Sequence, residues 1–332
     1  MAVPVPGKDR NKKLNGGAPV GWVIKTPKTF VHELTASPAS VVAIISTWFD
    51  GDIIEANVRN CFKQGFDRVL ILDNASGDES VSRAVACGAE VGEIYQTAFY
   101  DDDLRIAKEN DLARKSIEGS SGDVWVISLD ADEFLHGFNG MTVKESLCSL
   151  PSQVRTVGSY AVDLYPESPD AYRIGEHPGT CMPSGCFRKG IFCPQTHWKH
   201  VAIRYSNGEF NIAQTRGNHV TSVPGSSPAP VESCFSLPIL HAPFRRYEDS
   251  KARLKRLCGK DKSLGNKPRS AGDDQVTGNM GAIKRWNCLE DVYAGRWDKV
   301  EIPHCRMLYG RSVTGICLYS WKNFFKDLNL ES

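Results

Sequence analysis

Three short stretches carry the side chains best suited to chemistry. The first is Leu129-Asp130-Ala131-Asp132-Glu133-Phe134. Carboxylates at i and i+2 of an extended segment fall on one side, about 6–7 Å apart along the chain. Two like charges that close call for a counter-ion. A hard divalent cation, Mn2+ or Mg2+, takes oxygen ligands and keeps positions open for substrate phosphates. Asp130 and Asp132 are therefore candidate metal ligands. A solvated acidic turn carries the same D-x-D spacing, so the weight rests on where the pair stands in the fold.

The second stretch is Asp73-Asn74-Ala75-Ser76-Gly77-Asp78. A simple Asx turn explains Asn74 and Ser76, and leaves Asp73 free to accept hydrogen bonds from a base or ribose edge. The third runs from Ile239 to Lys251 and contains His241, Arg245, Arg246 and Lys251. A neutral imidazole can be a third metal ligand, although a lone histidine is more often structural. Cations following it can neutralise a diphosphate leaving group.

The elements that must position these residues are readable from periodicity. Val41-Val42-Ala43-Ile44-Ile45-Ser46-Thr47 is a β-branched run of the kind buried on both faces of a sheet. A helix is expected over 53–63, with Ile54, Val58 and Phe62 or Cys61 inward and Gly65 as its stop. A buried strand over 68–73 follows. Ser76 and Glu79 have capping-box spacing, which predicts a helix ending near Gly88. A weaker strand over 90–95, a polar helix over 104–118 and a buried strand over 124–129 complete the series. This alternation implies right-handed crossovers and a parallel sheet. Ligands of such sheets bind beyond the carboxyl ends of the strands, where both Asp73 and Asp130 fall.

The remainder reads differently. Residues 1–38 have no hydrophobic period and are expected to be a flexible arm, with an edge element over 21–24. Residues 39–245 are expected to form the catalytic domain, with a nucleotide half (39–135) and a loop-rich antiparallel acceptor half (136–245). Residues 246–332 are expected to hold a basic helix over 247–257, a mobile loop over 260–279 and a packed helical subdomain around Trp286, Trp297 and Trp321.

Composition excludes several classes. The 332 residues are 41% hydrophobic and 24% charged, as in ordinary globular chains. The apolar run over 41–49 is too short to span a bilayer, and the N-terminus lacks the apolar core of a secretory signal. Eleven cysteines are an odd count and suggest reduced thiols, hence a cytoplasmic setting. The spacing of Cys181, Cys186, Cys193, His197 and His200 lacks the close pairs of a zinc site. No G-x-G-x-x-G follows the first strand and no G-x-x-x-x-G-K-[ST] occurs, against dinucleotide oxidoreductases and Walker-type NTPases. The net charge is +1, but residues 67–133 hold 16 acidic and 6 basic residues and residues 244–269 hold 10 basic and 3 acidic. Two solvated faces would show this, as would a site holding a cation beside a polyanion. The basic segment lacks the interleaved aromatics that stack single-stranded bases, so nucleic acid is not expected. Peripheral contact with the inner face of a membrane is compatible with it.

Taken in order, D-N-x-S-x-D, D-A-D-E-F and a histidine before a basic helix resemble the family 2 type of glycosyltransferase with a GT-A fold, in particular its bacterial subgroup with a D-A-D-E-F motif. The likeness covers 41–135 and 241–251. It implies an α/β fold with a mostly parallel central sheet flanked by helices, a loop-rich acceptor half and a C-terminal helical segment. It also implies a metal-dependent sugar transfer from a nucleotide-diphosphate donor to an acceptor hydroxyl, with inversion if the displacement is single. Mn2+ or Mg2+ would be held by Asp130, Asp132 and His241, with Asp132 the catalytic candidate. Thr47, Asp73, Asn74, Asp130, Ala131, Arg246 and Lys251 would contact the nucleotide sugar. The family's usual Pro-x-Tyr-Asn-like start is replaced here by Ser46-Thr47-Trp48-Phe49-Asp50.

The acceptor is open between a glycan, a lipid-linked group and a small molecule. Asp163, Glu167, Asp170, Glu176 and Glu209 are candidate bases. Two other readings use the same residues: metal-dependent nucleotidyl transfer or phosphohydrolysis, and nucleotide-sugar binding without catalysis. A sugar nucleotidyltransferase should carry a Gly-rich basic loop after the first strand, and Phe49-Asp50-Gly51-Asp52 is not one.

Overall fold

The first β-branched run forms an interior strand of a sheet, as burial on both faces requires. The computed structural model describes residues 39–97, 101–137, 140–182, 184–188, 199–215, 220–222, 236–258, 285–296 and 305–307. The arm over 1–38, the loop over 260–279, Cys193, His197, Trp297 and Trp321 lie outside them.

Strand β1 (Ser40–Thr47) lies between β2 (Arg68–Asp73) and β4 (Asp123–Asp130), parallel to both, and β3 (Glu90–Ile94) extends the parallel set. Helices α1 (Ile54–Lys63), α2 (Ser80–Ala86) and α3 (Asp102–Ile117) make the crossovers. Alternation along β1 divides the core. Val41, Ala43 and Ile45 pack with Ile54, Val58 and Cys61 of α1, whereas Val42 and Ile44 pack with Leu112, Ala113 and Ile117 of α3.

The antiparallel half continues the same sheet. Beside β4 come β8 (Lys199–Ser206), β6 (Thr156–Tyr165), β7 (Ser184–Arg188) and β12 (Cys305–Met307), each antiparallel to its neighbour. Strand β11 (Ser236–His241) runs parallel to β6 and antiparallel to the short β5 (Glu133–Leu135). Residues 213–215 (β9) and 220–222 (β10) form a separate pair, and α4 (Val143–Cys148) and α5 (Pro178–Cys181) are short. Helices α6 (Tyr247–Leu257) and α7 (Leu289–Tyr293) pack around Tyr165 and Phe244.

Three local expectations change. Ser76 and Glu79 form no capping box: the Ser76 hydroxyl accepts from Phe49 N, and α2 starts later, where Asp78 accepts from Ser80 N. Phe62 is largely at the surface, and Cys61 takes the inward position. In the C-terminal segment, residues 305–307 add an edge strand to the sheet, where helix was expected.

Beside β5 lie the buried His136 and the half-buried His177, with rings 5.2 Å apart. Gln64 Oε1 accepts from Gly137 N and Val143 N, so its amide nitrogen faces His136 Nδ1 as donor. His177 Nδ1 accepts from Gly179 N. Burial holds His136 well below the ordinary imidazole range and His177 down to about 3. Below pH about 6.5 the unfolded chain binds protons that the folded chain does not. Their stabilisation is thus complete above that pH and is lost as pH falls toward the folded values. We expect His177 to cost about 2 kcal/mol on going from pH 7 to pH 5, with His136 acting in the same direction. Urea midpoints at the two pH values check this, and the His136→Gln/His177→Gln double variant should show the smaller drop.

Candidate active site

Register places the candidate carboxylates together at the carboxyl ends of the parallel strands. Ser46 pairs with Asp130 and Thr47 with Asp73, so β2 and β4 present an acid on either side of the end of β1. After Asp130 the chain turns sharply, and β5 leaves along β11. In that ladder Glu133 stands opposite His241, and Ala242 N donates to Asp132 O at 2.9 Å. On the other side of β11, His241 is in register with Asp163 of β6. Strand pairing thus carries His241 to Asp132 from far along the chain.

The sharp turn sends the acids of the D-A-D-E stretch to two different charge networks. Asp132 is 1% exposed, and its Oδ2 lies 2.8 Å from Arg253 Nη2, 3.5 Å from His241 Nε2 and 3.7 Å from Arg245 Nη2. His241 Nδ1 donates to Asp163 Oδ1 at 2.6 Å. Arg245, also buried, reaches Asp50 Oδ1 at 2.9 Å and Asp52 Oδ1 at 2.6 Å. Arg256 donates to Phe49 O and lies over the Phe49 ring. Phe49 has a φ of 59°, a left-handed conformation costly for a bulky residue, and these contacts with the Ser76 bond hold it there. The loop after β1 is therefore the dock for the arginines.

Burial by itself raises the Asp132 carboxyl, but Arg253, His241 and Arg245 outweigh it and hold the group well below the ordinary range. At Asp52 burial prevails over Arg245 and the carboxyl is raised. Desolvation would lower Arg245, but Asp52, Asp50 and Asp132 raise it, so it stays charged.

Asp130 turns the other way. Its carboxylate meets Lys199 Nζ at 2.8 Å and Arg105 Nη1 at 3.6 Å. Burial raises it, and Lys199 and Arg105 bring it below the ordinary carboxylate range. Lys199 also meets Glu133 Oε1 at 2.5 Å, and Arg105 meets Glu109 Oε1 at 2.5 Å. Glu109 accepts from the Ser46 hydroxyl. Burial and the neighbouring Asp130 raise Glu133, against the pull of Lys199.

The structure therefore brings together Asp132 and His241, and directs Asp130 to Lys199 and Arg105 instead. The i, i+2 argument assumed an extended chain, and the turn at 131–132 removes it. Among the described residues no group of three His, Cys, Asp or Glu side chains is arranged to hold a metal ion. The Asp132–His241 pair still suits one. Asp132 Oδ2 and His241 Nε2 face each other at 3.5 Å, and the imidazole is oriented by a carboxylate on its other nitrogen, as metal-binding histidines are. Two protein ligands leave the further positions that Mg2+ or Mn2+ fills with phosphate and water.

The other candidates divide. Asp73 is 1% exposed; its Oδ2 accepts from Ser76 N, its Oδ1 is buried without a partner, and burial raises its carboxyl. Thr47 Oγ1 donates to Asp50 Oδ2 at 3.4 Å. Asn74 is occupied with Thr97, to which it donates and from which it accepts. The Ala131 side chain belongs to the core. Arg246 and Lys251 do not reach Asp132: Arg246 pairs with Asp249, and Lys251 lies over the Tyr247 ring. The helix turn puts Arg253 inward instead, with Arg245 just before the helix. Asp163 is fully buried against His241, whereas Glu167, Asp170 and Glu209 are exposed. Sequence reasoning missed Asp50, Asp52, Lys199 and Arg253. The one local signal was Asp-Gly-Asp at 50–52 next to a strand end.

No protein-family model and no curated protein matches the chain. Among solved structures, a mycobacterial protein is 19% identical over 38% of this chain and 42% of its own, with a TM-score of 0.26. Glucosyl-3-phosphoglycerate synthase from Mycobacterium tuberculosis, in complex with Mn2+, uridine diphosphate and glucosyl-3-phosphoglycerate, is 18% identical over 37% of this chain and 44% of its own, with a TM-score of 0.25. The chain spans less than half the length of these proteins. Likeness at this level bears on neither substrate nor activity.

Proposed function

We propose that the chain is a metal-dependent glycosyltransferase that moves a sugar from a nucleotide-diphosphate donor to an acceptor hydroxyl. One observation carries this: a buried Asp132 facing a carboxylate-backed His241, ringed by guanidinium donors, at the carboxyl ends of parallel strands. Arg253 Nη1, Arg245 Nε and Arg256 Nε are buried without hydrogen-bond partners. Unpartnered cationic donors are costly unless a ligand supplies acceptors, and diphosphate oxygens are such acceptors.

Asp132 and His241 would hold Mn2+ or Mg2+. When bound, the ion would stabilise the charge that builds on the departing diphosphate. Arg253 would turn one edge of its guanidinium to that diphosphate while keeping the other on Asp132. Arg245 would fix the loop after β1, and Asp163 would hold the imidazole so that Nε2 faces the ion. The general base would come from the exposed acids of the acceptor half. A screen of nucleotide sugars for Mn2+-dependent thermal stabilisation tests the proposal, because a ligand that binds only the folded state raises its apparent stability. One class of donor should raise the midpoint only with metal present. A flat response across all donors removes the reading.

Asp73 gives a narrower test. Its unpartnered Oδ1 suits an N–H or O–H of the base or ribose. Asp73→Ala should weaken nucleoside diphosphate binding by about 1.5–3 kcal/mol, the worth of a hydrogen bond to a charged group. Isothermal titration on the folded variant measures it, and unchanged affinity takes Asp73 out of the pocket.

A further inference from the structure

Helix α1 reads the turn between β4 and β5 through side-chain amides on its buried face. Asn57 Nδ2 lies 3.2 Å from Asp130 O, 3.0 Å from Ala131 O and 3.1 Å from Glu133 O. One turn on, Asn60 Nδ2 donates to Leu135 O at 3.1 Å. Asn57 is fully buried, where the hydrophobic period of an amphipathic helix calls for an apolar residue, and asparagine is a poor helix former. Three carbonyl oxygens converging beside two carboxylates repel one another, and a single amide with two N–H bonds draws them together.

We infer that Asn57 is a positioning residue: by gathering these carbonyls it sets the path of residues 130–133 and so the place of the Asp132 carboxylate against His241. This rests on the proposed function for its consequence, but the geometry stands independently of it. Without the amide the turn opens, and Asp132 loses its set distance to His241 while every group that touches substrate is intact. Asn60 is the natural control. It lies on the same helix, is equally buried and donates to the same segment, but beyond the turn.

The test compares the full-length protein with Asn57→Ala and Asn60→Ala in three measurements: thermal midpoint, hydrogen exchange of the 130–134 segment, and Mn2+ affinity by calorimetry. Both variants should lose stability to a similar extent. Asn57→Ala should weaken Mn2+ binding about tenfold or more, the range found for residues that orient metal ligands, and speed exchange at 130–134. Asn60→Ala should stay within about threefold for Mn2+ and leave exchange there unchanged. Equal effects of the two variants on both readouts overturn the inference. If the wild type binds no Mn2+, the metal site fails, and exchange at 130–134 alone decides the role of Asn57. If Asn57→Ala does not fold, Asn57→Ser takes its place, since serine is too short to reach the three carbonyls.

Discussion

Asp132→Asn and His241→Ala should each weaken Mn2+ binding by about a hundredfold or more, while the double variant is scarcely worse than the poorer single. Loss of an orienting group costs about 10–100-fold, so loss of a ligand should reach at least the upper end. Ligands of one ion act as a unit, which makes their effects grossly non-additive. Asp132→Asn keeps the shape and removes the charge, so its effect is electrostatic. Asp132 balances Arg253 and Arg245, and His241 bonds the buried Asp163 carboxylate. Both variants should therefore also unfold more easily without metal. Calorimetric or paramagnetic-resonance titration with Mn2+ and nucleoside diphosphate, run beside urea unfolding, separates the two effects. Wild-type affinity in His241→Ala would make the histidine structural, and wild-type affinity in Asp132→Asn would remove the main support for the glycosyltransferase.

The largest stability effect is expected at Arg245. Its guanidinium, 1% exposed, lies within ion-pair distance of Asp50, Asp52 and Asp132. Removing one partner of a buried ion pair leaves an uncompensated charge and typically costs about 3–5 kcal/mol. Arg245→Met should cost that much, because the carboxylates come from the loop after β1 and the turn after β4, and among the described residues Arg253 joins Asp50 and Asp132 but forms no ion pair with Asp52. Arg245→Lys should recover part of the loss: an ammonium keeps the charge but cannot present two edges at once. Adding Asp52→Asn to Arg245→Met should restore part of the stability, since one of the carboxylates left without Arg245 is neutralised. Urea unfolding of the four proteins gives the result. A loss below about 1 kcal/mol in Arg245→Met, the worth of a surface pair, would show that the carboxylates find other partners.

The sequence by itself determined the local frame of this protein. The β-branched run over 41–47, the apolar strands over 68–73 and 124–129 and the helices between them are set by short-range periodicity, and a parallel βαβ series follows from handedness. Placing Asp73 and Asp130 at strand ends needed nothing more. Helix α6 formed over the expected residues for the same reason. What only the tertiary structure decided is which partners each charge meets. The turn at 131–132 separates Asp130 from Asp132, because the carbonyls of the turn bond to Asn57 of a helix more than seventy residues earlier. His241 reaches Asp132 because β11 pairs with both β5 and β6. Arg253 faces the site and Lys251 does not, because the α6 face is fixed by packing of Leu254 against Phe244 and Tyr293. Charge has no periodicity along a chain. Its energetics depend on distance and burial, and those are properties of the packed molecule alone.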